Sequence, residues 1–310
     1  MVQGGEVRMG VGSALMRVVS PVLESIAPFV PGETFPHYFS GLFQNALVAS
    51  VLVTIVAGYL GSFLLVRNLS LIGDGLAHVS FGGICVGIVL GSSSPLWFAL
   101  VFSTIAAILI FEMQRLEILT GDASIAIFLT GFLALGLLVL RLSGGGISID
   151  VEGYLFGSVN LTSEKDLDLI VFISVFSIIS LTLIQNGLLA VTIDPLAAEV
   201  QGIPARGLGL FFSVITAAVV VSMVQIVGTL LVTALLVTPA ATSQLVGKSF
   251  RSCLIWTQVF GLTSVIIGIY LSAEMVAPTG SMIAVVAASI FAVVGIYQSL
   301  VIPLLNPGNN

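Results

Sequence analysis

The sequence predicts an all-α fold, a polytopic transmembrane helical bundle of about nine spans. Three observations carry this reading. Hydrophobic residues fill 57% of the 310 positions and charged residues only 8%. Mean hydropathy is +1.19. The apolar residues are gathered into runs of roughly the 20 residues that a bilayer core demands of a helix. A soluble domain carries about 25% charged residues, and 9 Lys and Arg with 15 Asp and Glu cannot clothe a chain of this length in water. The net charge of −6 excludes nucleic acid as a partner, since that needs clustered Lys and Arg. Membrane lipid is the solvent instead. Cys85 and Cys253 lie inside apolar runs, where they read as small buried hydrophobes and form neither a disulfide framework nor a CxxC site.

The chain divides into an N-terminal tail (1–41), a transmembrane domain (42–304) and a short C-terminal tail (305–310). The tail lacks the basic start and clean apolar core of a cleaved signal peptide. Residues 11–19 have some helical amphipathicity around Arg17 before Pro21, Pro28, Pro31 and Pro36 break the chain, so an interfacial or loosely ordered segment is expected. His37 is expected to be exposed there. The spans read 42–66, 70–90, 95–113, 123–141, 167–185, 207–226, 228–246, 253–272 and 281–303. Those at 70–90 and 228–246 carry more Gly and polar residues than lipid contact favours, so both are expected to face protein or a pathway. Arg67, Arg115, Arg206, Lys248 and Arg251 fall in alternate, short connections, which places that side in the cytoplasm and the N-terminus outside. The outer connection 142–166 is Gly-rich, and its YLFGS stretch is a candidate to dip back toward the membrane.

Charged groups at membrane depth are expensive and usually functional. Asp74 and His78, four residues apart in LSLIGDGLAHVSFGG, share one helix face. A carboxylate and an imidazole there suit half of a site for a divalent transition metal. A proton relay and a self-satisfied structural pair fit the same residues. In a symmetric dimer, two copies would offer two Asp and two His. Cys85 lies on a similar face and is a weaker candidate. Gln225, Thr229, Thr233 and Thr238 are softer positions, where a hydroxyl bonded to its own helix backbone is the default. Pro239 is expected to kink its span. Glu274, at an outer helix end, reads either as a boundary carboxylate or as a metal-entry ligand.

The inner loop holds a compact helix signature. Asp194 can cap the first free amides, Pro195 suits the first helical position, Gly202 suits the left-handed position after the end, and Pro204 forbids continuation. Two turns, with Glu199 on them, are too short to stand alone. The helix either packs on its own bundle or couples to a separate subunit. Gly247-Lys248-Ser249 imitates the end of a phosphate-binding loop, but the first Gly of that motif is replaced by Thr242. No ATP site is legible, nor any HExxH or GxSxG motif.

Taken together, LVRNLSLIGDGLAHVSFGGICVGIVLG, YLFGS, DPLAAEVQGIPAR, GTLLVTALLVTPAAT and APTGSMIAVV resemble the permease subunits of prokaryotic ABC importers for zinc, manganese and iron, the ABC-3 family. The resemblance runs from about residue 42 to 300. It implies a type II ABC importer-like bundle in the plasma or inner membrane. It implies a second permease copy, a cytoplasmic ABC ATPase subunit and an extracellular or periplasmic metal-binding protein as partners. The divalent metal is substrate, with no permanently bound cofactor and no catalytic residue in this chain. The resemblance puts Asp74 and His78 on the metal pathway and Asp194, Pro195, Glu199, Gly202 and Pro204 in the ATPase-coupling region. The family's late acidic position is Val276 here, which leaves Glu274 displaced from it. A proton- or ion-coupled secondary carrier is the alternative class.

Overall fold

The computed structural model describes residues 10–40, 43–92, 94–119, 121–144, 149–157 and 164–301. Among these the chain is helical, with no strand. The order is α1 (Val11–Ile26), α2 (Gln44–Val66), α3 (Ile72–Val89), α4 (Leu96–Arg115), α5 (Gly121–Leu142), α6 (Ile149–Phe156), α7 (Glu164–Ile193), α8 (Pro195–Val200), α9 (Ala205–Val227), α10 (Val232–Leu236), α11 (Thr238–Val246), α12 (Phe250–Met275) and α13 (Thr279–Ile296). Eight of these helices are long and apolar enough to cross a membrane. The protein is a multi-pass membrane protein.

The remaining predicted span, 228–246, is not one helix. Gly228 leaves α9 at φ +84. Helical structure resumes only at Val232 and breaks again between α10 and α11, beside Pro239. The physical cause lies in other parts of the chain. The amides of Thr229 and Leu230 donate to the carbonyls of Tyr154 and Leu155 in the YLFGS stretch, so this backbone pairs with α6 instead of closing a helical turn. Ser158, the last residue of that stretch, lies outside the described residues. The other boundary difference is α7, which continues to Ile193. The inner connection is therefore short and consists mainly of α8.

The helices sort by composition. α2, α3 and α9 are the most buried of the long helices and carry the small residues that let backbones approach. A Cβ on Gly83 would meet the backbone of Phe98 and Ala99 in α4, and one on Gly82 would meet the Phe132 carbonyl in α5. α4, α5, α12 and α13 form the periphery and present apolar side chains such as Val101, Ile105, Leu138 and Val293 outward. Several helices stop in the same way. At α2, Asn68 takes φ +56, its amide donates to Leu65 O, and the amide of Leu69 donates to Leu64 O, which satisfies two carbonyls that the helix end would otherwise strand.

The arginines group as the charge rule requires. Arg67, Arg115 and Arg206 line one cavity of ≈ 460 Å³ together with Pro195 and Glu199. Glu112 accepts from Arg115 at 2.8 Å and from Arg206 at 3.0 Å. Arg67 lies 5.0 Å over the Phe212 ring, and burial holds its pKa below the usual value. By the charge rule this end is assigned as the inner one. The Gly247-Lys248-Ser249 turn belongs to it, and Ser249 accepts from the amide of Ser252 as the N-cap of α12. The imitation phosphate loop is thus a helix cap.

Candidate functional site

Asp74 stands in the first turn of α3 and His78 one turn later, about 9 Å into the helix at 1.5 Å per residue. Asp74 Oδ1 and His78 Nε2 are 3.9 Å apart. That is beyond hydrogen-bond length, so the pair does not satisfy itself. The His78 side chain is 8% exposed and that of Asp74 33%. His78 Nδ1 is buried with no hydrogen-bond partner. A buried imidazole nitrogen left unpaired is costly unless a ligand supplies its partner.

Glycine holds this turn in place. A Cβ on Gly73 would meet Leu236 of α10, and one on Gly75 would meet Ile125 of α5. α3 is therefore wedged between these elements with Asp74 between the two close approaches. Among the described residues no group of three or more His, Cys, Asp or Glu side chains is placed to hold a metal.

The other candidates separate. Cys85 packs with Phe81, Leu140 and Val151 as a hydrophobe. The buried hydroxyls of Thr229 and Thr233 have no hydrogen-bond partner, so the expected bond to their own backbone is absent. The break after Gly228 removes the preceding helical carbonyls that such bonds require. Gln225 Nε2 donates to Asp166 Oδ2 at 3.1 Å, and Ser94 donates to Asp166 Oδ1 at 3.3 Å. Sequence reasoning missed Asp166 because it sits in a mixed-charge stretch, Glu164–Asp168, that reads as a solvated loop. Asp168 was missed for the same reason, and its Oδ1 accepts from the Gly12 amide at 2.7 Å.

Glu274 is occupied. Its carboxylate accepts from the backbone amides of Glu33, Thr34 and Phe35, the last two at 3.0 Å. It anchors residues 10–40 to the outer end of α12. Val276 follows at φ +52, a left-handed conformation that a β-branched residue rarely takes. His37 is exposed and lines a cavity of ≈ 350 Å³ with Thr34, Tyr38, Ser272, Val276 and Thr279.

The inner loop has the local geometry its residues predict. Asp194 Oδ1 accepts from the Ala197 amide at 3.0 Å. Pro195 opens α8. Gly202 has φ +82. Its amide donates to Glu199 O, and that of Ile203 donates to Ala198 O. Ala198 is buried with Val191 and Ala205, while Leu196 is 76% and Val200 89% exposed. The short helix thus has one face on its own bundle and one apolar face in solvent.

The model of the ABC 3 transport family matches residues 40–298. The chain belongs to that family. It is similar to the manganese import system permease protein ScaB of Streptococcus parasanguinis, 30% identical over 86% of this chain and 92% of the relative. It is also similar to the manganese transport system membrane protein MntC of Listeria innocua, 32% identical over 81% of this chain and 89% of the relative. Among solved structures, PsaBC from Streptococcus pneumoniae in complex with Fab superposes with a TM-score of 0.74 at 30% identity, covering 84% of this chain and 93% of that one. An inward-facing structure described as a metal-chelate type ABC transporter gives 0.70 at 16% identity, over 91% of this chain, a likeness of fold alone. The fold is that of type II-like ABC permeases.

Proposed function

We propose that this chain is the membrane subunit of an ATP-binding cassette importer that carries manganese into the cytoplasm. The observation that carries the reading is the Asp74–His78 pair on a helix wedged by glycines, with His78 buried, its Nδ1 unpaired, and Asp74 half-buried one turn away. Oxygen and imidazole donors suit a borderline-hard divalent ion, and the thiol of Cys85 stands apart from them. The names of the relatives favour manganese over zinc and iron.

Two donors are fewer than a transition ion takes. A second copy contributing its own Asp74 and His78 completes a four-donor set at the interface of two permeases. The ion arrives at the outer face from an extracellular binding protein and meets the two pairs. It is released inward when the helices rearrange. Moderate affinity from carboxylate and imidazole lets it both enter and leave. Energy comes from a separate ATPase that grips α8 by Leu196 and Val200 on either side of Glu199. An uptake competition series in proteoliposomes containing the assembled transporter tests the cargo. Unlabelled manganese at modest excess should suppress uptake of labelled manganese. Zinc and iron should do so only at higher excess, and zinc competing more strongly than manganese would reassign the substrate.

A further inference from the structure

Helix α1 has three faces, and the rest of the chain engages two of them. Leu15, Met16 and Leu23 pack against the main core, and Gly12 closes on Leu167 and Asp168 of α7. Ser13, Arg17, Ser20 and Glu24 form a polar side, on which Ser20 Oγ donates to Gln44 Oε1 at 2.6 Å. The third side carries Val11, Val18 and Val22 at helical spacing, followed by Phe29 in the 3₁₀ turn that continues the helix. All four are exposed, Val18 at 72% and Phe29 at 86%.

The contacts fix the level of this helix. Its N-terminal end is held by Asp168 at the outer start of α7. Its middle is held by Gln44 at the outer start of α2. Further along, the amides of Thr34 and Phe35 are held by Glu274 at the outer end of α12. Contacts from both Gly12 and Ser20 of one helix to outer helix starts argue that α1 runs along the membrane surface. Its 16 residues are in any case too few to cross. The helix it docks on, α7, also presents apolar side chains outward, Phe172, Val175, Phe176 and Ile179.

We propose that α1 is an interfacial helix of the outer leaflet, with Val11, Val18, Val22 and Phe29 seated at the boundary of headgroups and acyl chains. One apolar face lies on protein, one in lipid, and the polar side faces water, the partition expected of a helix lying in the interface plane. The segment lies outside the matched family region, which starts at residue 40. The proposal does not depend on what the protein transports.

The test uses the full chain in phospholipid nanodiscs. Nitroxide labels are placed by Val18→Cys, Val22→Cys and Glu24→Cys in a Cys253→Ser background, with Cys85 buried. Labels at 18 and 22 should be more accessible to dissolved oxygen than to a water-soluble nickel chelate, and the label at 24 the reverse. Nickel accessibility at 18 and 22 equal to that at 24 would overturn the proposal. So would spin–spin broadening at 18 or 22, which would mean that a second copy covers the stripe. A label-free readout backs this up. Trypsin cleavage after Arg17 should be several-fold faster in Val11→Asp with Val22→Asp than in the unaltered chain, and equal rates in nanodiscs would contradict lipid burial.

Discussion

At the outer end of the bundle, Gly157, Gly228 and Gly280 bring three segments into backbone contact. A Cβ on Gly228 would meet the Leu155 carbonyl and one on Gly280 the Phe156 carbonyl. Asp168 and Glu274 then hold residues 10–40 across that end. The inner end is built differently. There α8 satisfies its own backbone through Asp194 and Gly202, buries Ala198, and leaves Leu196 and Val200 in solvent. One end spends its contacts on itself and is braced. The other finishes a compact, self-capped unit and leaves an apolar face in solvent, where the proposed function seats a partner. Such asymmetry fits the coupling role proposed for α8, since an element that passes movement between subunits must be both held and open to contact.

The sharpest way to break this comparison is at α8. Leu196→Asp with Val200→Asp places two charges where an apolar contact is proposed. Losing two central apolar anchors should weaken co-purification of the ATPase about 30-fold or more, with the permease itself unfolding as before. Undiminished assembly would mean that the exposed face has no partner. Substitution at Ala198 is less informative, since that residue faces the bundle and a larger side chain there disturbs folding.

At the outer end, Gly280→Ala drives a methyl group into the Val227 carbonyl. It should destabilise the bundle by about 1–3 kcal/mol, read as a lower thermal midpoint in detergent, while ATPase binding at the inner end is retained. Loss of binding with no change in stability would show that the two ends are not separable in this way. The smallest effect is expected at Val276, whose left-handed backbone costs an L-residue about 1–2 kcal/mol. Val276→Gly should raise the midpoint by roughly 1 kcal/mol of stability, and a fall would mean that the exposed valine makes a contact that its position does not suggest.

The inner end was far more legible in the sequence than the outer. The features of α8 are local: a cap three residues from its amide, a proline at the first position and a glycine at the last, all within Asp194–Pro204. The spans were legible because hydropathy needs no partner to be read. The outer end depends on pairings across the chain. Gly12 meets Asp168, and residues 33–35 meet Glu274, far apart in sequence, so Glu274 read as a boundary carboxylate or a metal-entry ligand. Gly228 read as the start of a span because nothing local reveals that its backbone is committed to Tyr154–Gly157. The Asp74–His78 pair lies between these cases. Its shared helix face was legible, while the unpaired Nδ1 and the 3.9 Å separation needed the packed structure.

The central claim is that this pair handles the ion. Its most direct test is manganese uptake by proteoliposomes holding the assembled transporter with Asp74→Asn or His78→Ala, each checked for ATPase co-purification and thermal stability. Near-complete loss of uptake is expected in both, with assembly intact. Uptake at the unaltered rate in both variants would contradict it.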